Sequence, residues 1–260
     1  MKRILTVLVA MIGLMSFAHQ LMAQRAPDDL LADLKSGNWG KRADAMTGLA
    51  QNPGHLAMPT VRLELRELLS RETKLIEDLL RQGDGGAAAR YGEGFSEYYS
   101  ELLSAVYRTS NLRDPQGLKV LAGSSYNPDS PFAQDLSDAG GALLIPIAME
   151  LLKNDLDPRV WNGLGLLGRL YEKRDVHKFS TSTAQGLKDA IIGKTGVARS
   201  SIRTQAVRIL GQIGTRSDLP LLRRIAETDS YSRSVENGKP QRFPIREAAR
   251  KSIADIETRK

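Results

Sequence analysis

The side chains with most chemistry to offer in this 260-residue chain are three histidines, a Gly-Lys-Thr triplet and some paired carboxylates; cysteine is absent. A metal site needs three or four converging ligands. His19 lies in an N-terminal apolar stretch, while His55 and His177 stand far apart with no His-Glu pairing beside them. Both are expected as solvent-facing loop residues. Gly193-Lys194-Thr195 has the last three residue types of a phosphate-binding loop, but the position five before Gly193, where that loop needs glycine, is Lys188. A helix-to-helix turn is the expected reading. Asp155 and Asp157 do not extend into a calcium loop, because Arg159 takes the next ligand position and no glutamate closes it. Ser124-Ser125 have no base placed beside them and no Gly-x-Ser-x-Gly elbow around them. Glu64 with Glu67, and Glu77 with Asp78, sit among Arg and Lys at helical spacing and read as solvated faces. No catalytic residue, cofactor site or metal site is assigned, and the expected class is a non-enzyme.

Two features are better suited to binding than to reaction. Tyr91, Phe95 and Tyr99 recur every four residues, which places them on one helical stripe where aromatic residues pack inward. Tyr98 falls off that stripe and is expected to be exposed. Further on, Thr228 to Pro244 separates two helical patterns by more residues than a helix-to-helix turn requires. The segment carries Tyr231, Arg233, Asn237-Gly238, Lys239, Pro240, Arg242 and Phe243, and Arg216, Arg223 and Arg224 precede it. Insertions between structural repeats map to one face, and often to the binding face. The candidate partner-binding set is therefore Arg216, Arg223, Arg224, Tyr231, Arg233, Lys239, Arg242 and Phe243. A tolerated insertion with no partner is the competing reading. Arg203 is expected to pair with an aspartate of an adjacent turn.

The elements that must position this set are helices. Ile202-Arg203, Ala206, Leu210-Gly211 and Ile245-Arg246, Ala249, Ile253-Ala254 share one register and begin 43 residues apart. Lys41-Arg42, Ala45, Leu49-Ala50 repeat it upstream, and Val160-Trp161, Leu164, Leu167-Gly168 do so with the final pair one residue early. Such offsets place small and aliphatic residues on one stripe of a helix turning every 3.6 residues. Alanine in that stripe lets a neighbouring helix approach closely. Pro220 fits the first turn of a second helix, where its missing N–H would have been unpaired. Further helices are expected over 28–35, 41–51, 58–69, 72–82, 115–121 and 184–192, with one over 141–153 kinked by Pro146. Gly83 to Gly86 is expected as a flexible break and 124–131 as a loop. No run alternates with period two, so almost no sheet is expected.

Ile202 to Gly214, followed by Asp218 and Leu221-Leu222, resembles a HEAT repeat, closest to the short bacterial kind also found in phycobilin lyase subunits. The resemblance is carried best by 157–260. It implies an all-α fold, a right-handed α-α superhelix of the HEAT/armadillo-like solenoid type. At the 43-residue spacing the chain from residue 24 would hold about five helix pairs. It also implies work in protein–protein contact; the lyase relatives suggest the alternative of an enzyme or enzyme subunit handling a chromophore.

Composition and charge narrow the setting. Aromatics make up 5% of the chain, so aliphatic residues and alanine must supply the core. Lys2-Arg3, the apolar run Ile4 to Met15, and small-residue exits at Ala18 or Ala23 read as a signal peptide over 1–23. The run is too short to span a bilayer, which takes about 20 residues. Without cysteine there is neither lipid attachment at the end of the run nor a disulfide, so the core alone must hold the mature chain, 24–260. A periplasmic or extracellular home is expected. From Arg199 onward there are 14 Lys and Arg against 7 Asp and Glu, whereas residues 24–198 are close to neutral. After export such a basic segment points to an acidic protein face or an anionic envelope polymer, the expected partner being a protein; nucleic acid, an integral membrane segment, a cofactor and a small-molecule ligand are not expected.

Overall fold

The computed structural model describes residues 25–82, 95–110, 114–124, 131–233 and 241–259. They are helical throughout, and no strand forms among them; Arg233 and Arg242 make a single antiparallel bridge. No helix among the described residues is long and apolar enough to cross a membrane. The chain divides into two compact units, Met1–Asn111 and Leu112–Lys260.

The first unit contains α1 (Pro27–Leu34), α2 (Trp39–Gln51), the short α3 (Pro53–Ala57), α4 (Pro59–Arg81) and α5 (Phe95–Thr109). Starts are written locally. Pro27, Pro53 and Pro59 open their helices, where a missing N–H costs nothing, and Asn38 and Asn52 accept first-turn N–H groups with their side chains. The expected helices at 58–69 and 72–82 are one continuous helix, α4, because Ser70-Arg71 contains no glycine or proline to break it. Its apolar face (Val61, Leu65, Leu68, Leu69) packs on α5. Glu72 lies on that buried face, matched by Arg42 of α2 at 2.9 Å and Arg71 at 3.5 Å.

The aromatic stripe needs correcting. Tyr98 is fully buried, not exposed, and Phe95 is buried with it, while Tyr99 is half-buried with its hydroxyl 2.9 Å from Thr73 Oγ1. The buried face of α5 runs Phe95, Tyr98, Leu102, Ala105, Val106, an i, i+3, i+7 pattern rather than the i, i+4 one. Trp39 of α2 decides this, since its ring meets Phe95 edge-on at 4.9 Å and Tyr98 at 5.6 Å. Tyr91 lies outside the described residues, as do 1–24, 83–94 and 125–130.

The second unit contains α6 (Pro115–Ser124), α7 (Pro131–Gly140), α8 (Leu144–Leu151), α9 (Asp157–Glu172), α10 (Thr181–Gly193), α11 (Ser200–Ile213), α12 (Leu219–Thr228) and α13 (Pro244–Thr258). Pro146 does not kink a helix. The expected 141–153 helix instead starts at Leu144, after a 3-10 turn at Gly141–Leu143, and Pro146 sits harmlessly in its first turn. Gly141 makes the break, with φ +48 and the His177 ring above it. From α9 onward the order is regular: α9 packs on α11 and α11 on α13, while α10 packs against α9 and α11, and α12 against α13.

This packing explains the repeated register. Its glycines and small residues mark helix crossings: a side chain at Gly168 would press on Ile209, and one at Gly211 on Ser252. The arginine at the second position closes the incoming turn. Arg42 Nε donates to the Ser36 carbonyl and Arg203 Nη1 to that of Val197, in each case six residues back. In the last copy Arg246 Nε reaches instead to the Asp229 carbonyl, 17 residues back, because the Thr228–Pro244 excursion stands where a short turn would.

Candidate functional site

The excursion is pinned at its base. Asp229 ends α12, and its side chain accepts from the Tyr231 N–H at 2.9 Å, starting a turn. Arg203 of α11 pairs with the Asp229 carboxylate (Nε to Oδ2, 3.2 Å), while Arg246 of α13 holds the carbonyl of the same residue at 2.6 Å. The expectation for Arg203 is thus met, with both partners largely out of solvent. Beyond, the Arg233 N–H donates to the Arg242 carbonyl at 2.9 Å and the reverse bond is 3.2 Å, which closes the segment like the neck of a hairpin.

The eight predicted residues divide into groups. Tyr231 packs against the α12–α13 core, so it anchors the excursion rather than tipping it. Arg233 Nε donates to the Tyr231 hydroxyl at 3.2 Å, and this bond, with a further one from Ser200, holds that phenol below the usual tyrosine range. Phe243 is half-buried beneath the Arg246 guanidinium, 4.4 Å from its ring centre. Arg242 makes a two-pronged pair with Glu247 (2.5 and 3.2 Å), which keeps the Glu247 carboxyl below its ordinary range. Arg223 pairs with Glu257 of α13 at 2.9 Å. Arg216, in the 3-10 turn before α12, and Arg224, within α12, are exposed and meet no carboxylate among the described residues. Lys239 lies outside the described residues, with Asn237, Gly238 and Pro240.

Two exposed cations on the neighbouring helix were not singled out by the sequence reasoning. Arg250 and Lys251 are exposed on α13, which packs directly on α12; Arg250 stands near the Glu247 carboxylate and helps to hold its pKa down, whereas Lys251 meets no carboxylate among the described residues. Their signal was present in the register, since they follow the inward Ala248-Ala249 pair and so must face out.

The motifs set aside on chemical grounds have structural work. Lys194 donates to the Leu152 carbonyl at 2.8 Å, and Thr195 Oγ1 to that of Ile192 at 2.8 Å. Lys188 forms an ion pair with Asp218 at 2.6 Å, both residues buried. Asp157 receives Arg199 at 3.0 Å and the Ser201 hydroxyl. Of the carboxylate pairs, Glu64 meets Lys35 at 3.0 Å and Asp78 meets Arg81 at 3.2 Å, but Glu77 is buried rather than solvated. Neither histidine is a free loop residue: His55 belongs to α3, and His177 stacks on Phe179 with centroids 5.3 Å apart, each half-buried. Among the described residues no three His, Asp or Glu side chains gather as a metal ion would need. Compared with protein-family models the chain matches none, and compared with curated proteins it has no match.

Proposed function

We propose that this chain is an exported, non-enzymatic binding protein of the bacterial envelope, a HEAT-like right-handed α-solenoid whose basic C-terminal helices hold an acidic protein partner. The observation that carries the reading is the residue of charge left after internal pairing. Arg199, Arg203, Arg223 and Arg242 are each engaged by a carboxylate of the chain, and Arg250 stands near Glu247, yet Arg216, Arg224 and Lys251 remain exposed without one among the described residues. Unmatched exposed cations on neighbouring helices raise the local potential and steer an acidic surface toward it. The solenoid reading is supported by the shared register of Arg42, Arg203 and Arg246 and by the order in which α9, α11 and α13 pack.

The test is capture of partners by the chain from its own envelope extract at low and high salt, beside an Arg216→Glu/Arg224→Glu variant. Screening weakens contacts between exposed charges, so an acidic protein held at low salt should be lost at high salt, and the variant should lose it at both. Reversing Arg223 or Arg242 is a poorer test, because each would then face Glu257 or Glu247. A partner kept at high salt by both proteins refutes the basic interface, and failure to capture any partner refutes the binding reading.

A further inference from the structure

The first unit has a cleft of about 450 Å³ where α2, α3, the start of α4 and the end of α5 meet. Its floor is apolar, formed by Pro53, Leu56 and Ala57; its polar side is Arg62, Arg108 and Ser110. No carboxylate is among the residues lining it. Arg62 spends Nε on the Leu56 carbonyl at 3.3 Å, which leaves the rest of its guanidinium unclaimed among the described residues. Arg108, exposed in the last turn of α5, likewise meets no carboxylate among them. The Ser110 hydroxyl is buried with no hydrogen-bond partner among the described residues. Two guanidiniums without counter-charge beside an orphaned hydroxyl form a setting for an oxyanion.

The chemistry also selects which oxyanion. A phosphate dianion is usually cradled by backbone N–H groups at a helix N-terminus. Here Arg108 and Ser110 stand at the C-terminal end of α5, whose partial charge is negative and opposes a second negative charge. A monoanion fits better, and the apolar floor asks for an apolar group attached to it. We infer that this cleft binds the C-terminal carboxylate of a peptide ending in an apolar residue, with Arg62 and Arg108 on the carboxylate and the last side chain over Leu56. This site shares no residue with the basic face, so either can fail without the other.

The experiment titrates the full chain with acetyl-Ala-Ala-Leu as free acid, with the same peptide as C-terminal amide, and with inorganic phosphate, following backbone amide NMR shifts. The free acid should give saturable shifts at Leu56, Ala57, Thr109 and Ser110. Its affinity should exceed that of the amide by about tenfold and should fall about tenfold in Arg108→Gln, an exposed change whose melting temperature should match the parent; Arg108→Lys should restore part of it. No saturable shift, equal affinity for acid and amide, phosphate binding as tightly as the peptide, or an unaffected Arg108→Gln each overturns the inference.

Discussion

Tyr98 shows how one residue can invert a surface reading. Its ring is buried against Trp39 and Phe95, with the Arg42 guanidinium 5.7 Å from the ring centre. Burial, with the Glu72 carboxylate nearby, pushes its pKa up to about 12 from the ordinary 10. A group whose pKa rises on folding contributes stability below its unfolded value and loses it as pH climbs through the folded one. The penalty therefore opens above about pH 10 and reaches about 1.4 kcal/mol at pH 11, where the unfolded phenol has ionised and the folded one has not. Tyr98→Phe should leave stability at pH 7 within about 1 kcal/mol of the parent, since only one uncharged hydroxyl is removed. Urea unfolding of both proteins at pH 8 and pH 11 should show the parent losing more; parallel losses would refute the assignment. Lys188 teaches a related lesson. The residue that spoils the phosphate-loop pattern is buried against Asp218 and joins α10 to the turn before α12.

Between elements, close approach is the organising constraint. A Cβ on Gly211 would sit 2.6 Å from Ser252 Cβ and 2.9 Å from Ser252 Cα, so α11 and α13 cross almost backbone to backbone. The Ser252 hydroxyl uses that proximity and donates to the Val207 carbonyl at 3.0 Å. Gly211→Ala should cost about 1–3 kcal/mol, because overpacking there cannot be relieved by turning a rotamer. Gly186→Ala in α10, where a Cβ would meet nothing within 4 Å, should instead stabilise by about 0.5–1 kcal/mol. Thermal unfolding of the two variants gives shifts of opposite sign if the crossing is as close as described. Equal shifts would mean that α11 and α13 can separate without cost. Half of this element-scale picture was legible beforehand, since the repeated register named Gly211. Its contact was not legible, because Ser252 lies 41 residues away along the chain.

For the whole molecule, charge and compartment belong together. An excess of seven positive charges from Arg199 onward would steer the chain to nucleic acid in a cytoplasm and to acidic proteins or polymers outside it. Export is therefore the premise on which the partner class depends. Intact-mass measurement of the protein recovered from its native host should show a chain beginning at His19 or Gln24. Recovery with residues 1–23 still attached would remove that premise and return nucleic acid to consideration.

Local chemistry marks where many helices begin, although the short α3 was covered by no expected helix. Proline and asparagine act within one turn, so α1 through α4, α9, α12 and α13 open at or beside residues that signal it. The all-helical class and the repeated register were equally readable, because both depend on spacing along a single helix. What the sequence alone could not settle was which face of a helix met which neighbour. Tyr98 went inward and Tyr231 became an anchor only once Trp39 and the α12–α13 core were in place. The candidate surface was decided in the same way. Arg203, Arg199 and Arg223 are matched by carboxylates 26, 42 and 34 residues distant, and Arg216 and Arg224 are left unmatched by distances equally invisible to periodicity. Charge along a chain is a local property, whereas the compensation of that charge depends on which helices pack together.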